Sequence, residues 1–373
     1  MEASDLFAPE EIERARAYHR PLYWAFGVGL LLDLGVLAAI AFGPPGDWLA
    51  AATGGSWWAR TIEFAGLVTG VGTLVAFPLS AWRGWLYERR WGFSTQTFRG
   101  WLWDRAKGLV VGVTVASVAL VLLLGALRAW TGWWPAVAAP GAALFVLVLS
   151  LLAPLLFERL FNRFWPLPDR GLAGELQELS RRAGVPVRTI LVSDASRRTR
   201  KHNAYVSGLG PTRRLVLFDT LLEDVPRGEL RGVVAHELGH RRYRHMALGT
   251  GLAMAGAAAF VLVLWGLLSW HGLLSAVGAE EPGDPRVVPL VLLASSLLEL
   301  AALPFGTWVS RRWERTADRF ALELTGDGAA IEQMHRRLAL ANLADLDPPP
   351  LLYALLFTHP TPPERIVAAR MGS

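Results

Sequence analysis

Six apolar stretches decide most of what this chain can fold into, because each is long enough to cross a bilayer core about 30 Å thick. They run Leu22–Phe42, Thr61–Leu86, Gly108–Leu127, Pro135–Phe157, Met246–Trp270 and Val287–Trp308. A backbone in lipid has to satisfy its own hydrogen bonds, so each stretch reads as a helix. The first follows a charged amphipathic segment, lacks a small-residue cleavage site and has five more spans behind it. It reads as a retained span, not a removable leader.

Composition agrees. Only 18% of the residues are charged, where about 25% is usual in soluble proteins. Seventeen tryptophans point the same way, since indole favours the membrane–water boundary. The formal charge of +5 is carried almost wholly by arginine, with Lys107 and Lys201 the only lysines. These arginines fall mainly between the apolar stretches, which indicates topology and lipid headgroups as partners, not nucleic acid. Arg89, Arg90, Arg99, Arg105 and Lys107 separate the second and third spans, and a long Arg-rich region separates the fourth and fifth. The opposite loops hold Asp47 with Arg60, and Glu280, Glu281 and Asp284 with Arg286. The positive-inside rule therefore puts both termini and the long region in the cytoplasm.

The expected organisation is mainly α: a polytopic helical membrane protein carrying a small α/β cytoplasmic unit. Residues 1–157 form an N-terminal membrane region with four spans, 158–245 the cytoplasmic unit, 246–308 two further spans, and 309–373 a C-terminal helical segment. Within the unit, Asp169–Arg182 has helical periodicity and stops at Gly184. Thr189–Ser193, Asn203–Ser207 and Arg213–Phe218 are β-rich runs between turn residues. Pro226–Arg244 reads as a helix leading into the fifth span. Ser310–Leu324 continues the sixth as a helix, followed by Ala329–Leu343 and a Pro-rich tail.

The helix Pro226–Arg244 contains His236-Glu237-Leu238-Gly239-His240. Positions i and i+4 share a helix face, so both imidazoles can reach one ion, while Glu237 is angled to act on a water beside it. This is zinc-hydrolase spacing: two neutral histidines, a third protein ligand and an open position. With no cysteine in the chain, disulfides and thiolate ligands are excluded, and a metal has to be held by His, Asp or Glu. Glu314 is the best third ligand, with Asp318 on its face to accept a hydrogen bond from the far nitrogen of His236. Taken alone, the two carboxylates also suit an arginine-paired solvated face.

His359 precedes Pro360, where a turn residue is the commoner reading; an imidazole there would also stabilise an oxyanion. His245 lies off the ligand face, which favours a structural or interfacial role. His19, His202, His271 and His335 have no partner at a telling spacing. Asn203-Ala204-Tyr205 opens a strand that is either an exposed edge able to pair with an extended peptide or an ordinary core strand with a polar cap. Asp33 and Glu299 sit inside apolar spans, where they line water or pair with arginines.

Together these segments resemble the type I CAAX prenyl protease family of integral-membrane zinc metalloproteases. Tyr87–Thr97 is similar to the family's cytoplasmic loop, and Phe161–Pro168 to the start of its soluble part. Asn203–Tyr205 and Arg214–Leu222 are similar to its strand region; His236–His240, Ser310–Asp318 and His359-Pro360 follow in the family's order. The resemblance implies one Zn2+ per chain on His236, His240 and Glu314, with Glu237 as general base and Asn203 and His359 lining the active site. It also implies a zincin-like unit and a helical barrel around a water-filled chamber. Two features depart from the family: six spans are present where seven are common, and the loop before the motif helix is short.

The implied partners are membrane lipids and a peptide or protein substrate, prenylated at its C-terminus in the resembled family. Arginine in place of lysine and heavy Ala, Gly, Leu and Pro usage hint at a GC-rich bacterial genome and hence a bacterial plasma membrane. That keeps open an HtpX-like quality-control endopeptidase acting on unprenylated proteins. A channel, transporter or scaffold retaining a metal site is the reading from another class. It is disfavoured because Glu237 and all three ligand positions are present.

Overall fold

The computed structural model describes residues 3–208 and 213–371. Each apolar stretch is a helix, and most of these helices run on beyond the stretch, the fifth instead ending at Leu268, two residues short of Trp270. Helix α1 (Pro9–Phe42) starts at a proline, which suits a first turn, and Glu11 Oε2 accepts the Ala8 N–H at 2.9 Å. At 1.5 Å per residue its 34 residues reach about 51 Å, so its charged first turns stand clear of the bilayer. Short α2 (Pro44–Ala51) leads to α3 (Trp57–Ala81), which runs through a π-helical segment, Trp82–Tyr87, into one turn of α4 (Glu88–Arg90). Thr97 caps α5 (Phe98–Ala129) by accepting the Gly100 N–H at 3.1 Å, and α6 (Trp134–Phe161) completes the fourth span.

The α/β unit then builds β1 (Phe164–Pro166), α7 (Arg170–Arg182), β2 (Thr189–Ser193), β3 (Ala204–Ser207) and β4 (Arg214–Phe218). The sheet order is β1-β2-β4-β3, with β2 and β4 parallel and the outer pairs antiparallel. Helices α8 (Asp219–Asp224) and α9 (Arg227–Arg242) follow. Leu176 of α7, Leu215 and Leu217 of β4, and Leu230, Val234 and Leu238 of α9 are almost wholly buried in one core. The motif helix is thus clamped by its apolar stripe, which leaves its histidine face turned the other way.

Helix α10 (His245–Leu268) enters the membrane, short α11 (His271–Ala276) turns the chain, and α12 (Val288–Thr325) returns. The 38 residues of α12 carry it well past the bilayer to lie along α9. Helices α13 (Gly328–Ala341), α14 (Pro350–Leu356) and α15 (Pro362–Met371) close the far side. The segment expected as a Pro-rich tail therefore holds two helices, because its prolines fall in first turns where no N–H is needed. β1 was not expected at all; three residues ending in proline carry no period, and a sheet edge is where proline is tolerated.

The six long helices pack tightly at the end away from this unit. Leu37 and Ile40 of α1, Phe64 of α3, Leu124 of α5, Val261 and Leu264 of α10 and Val288 of α12 form one buried cluster. Val261 is 16 residues beyond His245, about 24 Å along the helix. Asp33 has Ser296 as its partner, whose hydroxyl donates at 3.0 Å; no arginine bonds it among the described residues.

Candidate active site

Two helices assemble the site. α9 supplies His236, Glu237 and His240, and α12 supplies Glu314 and Asp318. They meet closely at Gly239, where a Cβ would lie 3.1 Å from Ala317 Cα. Only a residue without a side chain lets α12 approach near enough for Glu314 to reach the histidines.

His236 Nε2 and His240 Nε2 are 3.1 Å apart. Glu314 Oε2 lies 3.3 Å from the first and Oε1 3.2 Å from the second. Two ring nitrogens facing each other over a carboxylate form the donor set that a divalent cation organises. A tetrahedral centre with ligand bonds of about 2.0–2.1 Å has edges of about 3.3–3.4 Å, close to this triangle. Glu314 Oε2 is also buried with no hydrogen-bond donor among the described residues. The residues present fit a metal ion.

The surroundings are specific. His236 Nδ1 lies 2.8 Å from Asp318 Oδ1, and Arg365 of α15 holds the same carboxylate through Nε at 2.8 Å and Nη2 at 2.5 Å. Burial works against a charged His236, but the Asp318 hydrogen bond and charge outweigh it and raise its pKa to about 10. Burial lifts the Glu237 carboxyl above its ordinary range, partly offset by the two neighbouring imidazoles. His359 reaches in from the exposed side, with Nε2 3.4 Å from Glu314 Oε1 and Nδ1 2.9 Å from Thr358 Oγ1. Burial lowers its pKa.

Among the described residues β3 ends the sheet order, the position that the peptide-pairing reading of Asn203-Ala204-Tyr205 requires, while Ala204 itself is buried as in a core strand. Phe218 N–H donates to Asn203 O at 3.1 Å, so by antiparallel alternation Ala204 and Val206 aim their polar groups outward. The Ala204 N–H is taken by Asn203 Oδ1 at 2.9 Å, and the Val206 carbonyl accepts from Arg241 Nε at 3.0 Å. A cavity of about 430 Å³ is lined by Asn203, Ala204, His236, Glu237 and His359. A second, of about 450 Å³, is lined by Tyr205, Ser207, Glu237, His240 and Trp313. Glu237 therefore stands beside the strand edge with a cavity on either side.

Every residue singled out for the site in the sequence is brought to this one place. Three others join them. Arg365 had no assigned role, though it stands in the run Thr358–Ile366 that drew notice for His359. His335 of α13 is buried with Nε2 3.7 Å from Asp318. His245, expected off the ligand face, has Nδ1 3.0 Å from His240 Nδ1.

Six apolar helices with a metal-binding helix pair at one end define a multi-pass membrane metallopeptidase. Residues 166–371 match the model of peptidase family M48, and residues 2–163 match the model described as CAAX prenyl protease N-terminal, five membrane helices. The chain belongs to family M48 and is a metalloendopeptidase of the CAAX prenyl protease type. Four of its long apolar helices lie in the N-terminal match. It is 27% identical to the metalloprotease YhfN of Bacillus subtilis (strain 168) over 364 residues, covering 96% of this chain and 85% of that one. It is 28% identical to CAAX prenyl protease 1 of Saccharomyces cerevisiae over 333 residues, covering 83% and 72%. The crystal structure of S. mikatae Ste24p superposes with a TM-score of 0.88 at 24% identity, over 97% of this chain and 90% of that one.

Proposed function

We propose that this protein is a zinc endopeptidase of the cytoplasmic membrane face that cleaves peptides laid along the edge of β3. His236, His240 and Glu314 would hold Zn2+, which when bound supplies Lewis acidity for activating water and polarising the scissile carbonyl. Glu237 takes the proton of the attacking water and returns it to the leaving amine, a task for which a carboxyl with a raised pKa is suited. His359, on the open side of Glu314, donates to the oxyanion as it forms. Asn203, the Ala204 carbonyl and the Val206 N–H hold the substrate backbone, the outward Ala204 N–H and Val206 carbonyl being already taken, while Tyr205 borders the second cavity. Asp318, steadied by Arg365, fixes the tautomer of His236. The observation that carries this reading is Glu237 standing between two cavities beside an open strand edge, next to a ligand triangle of metal size.

The substrate class we propose is a peptide with a lipid-modified C-terminus, as the name of the Saccharomyces relative suggests. The arginine distribution supports a cytoplasmic active site, and arginine-rich composition supports a bacterial plasma membrane. Tight helix packing confined to the end away from the α/β unit supports a chamber between the two. The test is metal content paired with cleavage of a farnesylated C-terminal peptide and its unprenylated counterpart in detergent, with and without chelator. About one zinc per chain and chelator-sensitive cleavage of the farnesylated peptide alone is the expected result. Equal cleavage of both peptides would move the substrate class to unprenylated membrane proteins, and a folded protein without metal would sink the proposal.

A further inference from the structure

His245 lies five residues beyond His240, and on an unbroken helix that offset turns a side chain about 140° away. The helix is broken. Arg244 adopts the left-handed conformation (φ 57°, ψ 30°), which few residues other than glycine accept, and it separates α9 from α10. The turn folds His245 back beneath the ligand, with the two Nδ1 atoms 3.0 Å apart. The residue is 6% exposed, and its ring stacks on Trp313 with centroids 5.1 Å apart and planes inclined by 7°. Tyr243 also stacks on it, at 5.9 Å and 19°. Trp313 immediately precedes Glu314, so one imidazole touches both helices that carry the site.

The chemistry of this contact is directional. His240 turns Nε2 toward His236 and Glu314, so its Nδ1 carries the proton and needs an acceptor. His245 Nδ1 is that acceptor, which leaves the proton of His245 on Nε2. His236 is served in the same way by Asp318. The two histidines thus differ in their supports: one leans on a carboxylate, the other on a neutral ring.

We infer that His245 is a positioning residue that accepts the Nδ1–H of His240, fixing the tautomer and plane of that ring from the mouth of α10. The inference rests on the metal reading of the site. It is tested with wild type, His245→Phe, which keeps a ring for the stack but has no acceptor, and His245→Asn, whose Oδ1 stands near the place of Nδ1. Zinc affinity is measured by chelator competition, the Co2+-substituted proteins by visible absorption, and the metal-free proteins by thermal unfolding.

His245→Phe should bind zinc about tenfold or more weakly and shift the Co2+ bands without lowering the metal-free unfolding temperature. His245→Asn should stay within about threefold of wild type. Unchanged affinity and spectrum in His245→Phe would overturn the role, as would an Asn variant as weak as the Phe variant. Should His245→Phe not fold, 15N spectra of zinc-loaded wild type decide the matter: a lone pair on His245 Nδ1 supports the inference and a proton there overturns it. Wild type that binds no metal would remove the metal reading itself, whereas metal-binding wild type matched by His245→Phe removes this inference alone.

Discussion

Glu237 and the histidines beside it do different work, and substitution separates them. Glu237→Gln keeps the size of the side chain and leaves the ligand triangle untouched. It should retain zinc while cleavage falls by about three orders of magnitude or more, read as turnover against metal content. Asp318→Asn weakens the support of His236 and leaves the Arg365 guanidinium facing a neutral amide. Zinc affinity should drop about 10- to 100-fold, measured by chelator competition. An unchanged affinity would show that His236 needs no such support. At this scale the sequence was legible where spacing is local: i, i+4 on one helix names His236, His240 and the Glu314–Asp318 pair. Arg365 was not legible, because nothing local connects it to a carboxylate 47 residues earlier.

Between elements, the decisive contact is the crossing of α9 and α12. A methyl group at Gly239 would meet Ala317 Cα at 3.1 Å and Phe320 Cδ1 at 3.2 Å, and backbone atoms cannot step aside. Gly239→Ala should therefore push the helices apart, destabilise the protein by about 1–3 kcal/mol and weaken zinc binding. Thermal unfolding with and without zinc checks both effects. The elements themselves were largely written in the sequence. Observed β2 has the expected bounds, β3 and β4 each begin one residue later, and so does α7, whose expected first residue Asp169 is its cap. What periodicity could not reveal was order: that β3 is the edge, and that Arg244 bends the chain so that His245 returns to His240.

Across the whole molecule, the α/β unit is tied to the membrane helices through one of the two lysines. Lys201 Nζ lies 2.9 Å from Glu88 Oε2 and donates to Tyr18 OH at 2.9 Å, joining the segment before β3 to α4 and α1. A double-mutant cycle of Lys201→Ala and Glu88→Ala should give a coupling near 1 kcal/mol in unfolding free energy; no coupling would remove this joint.

A second global property is pH dependence. His335 is held neutral by burial, its pKa lowered to about 3, despite Asp318 and Glu314 of α12; Arg365 of α15 and His236 of α9 push the same way as burial. Its folded pKa is below the unfolded value of about 6.5, so the unfolded chain binds the extra proton. This contribution is complete above about pH 6.5 and is lost as pH falls toward 3. His335→Gln should flatten stability over that window, followed by unfolding at stepped pH.

The sequence by itself determined the membrane class, the six helices, the shared face of His236 and His240 on α9 and the helix that carries Glu314. Each of these is a repeat or spacing along one element, fixed by 3.6 residues per turn and by the length of a bilayer. Tertiary structure alone decided that Arg365, His335 and His245 converge on the site, and that β3 lies open beside Glu237. Those relations join residues far apart in the chain or across a break in a helix, where no period survives and only packing sets the distance.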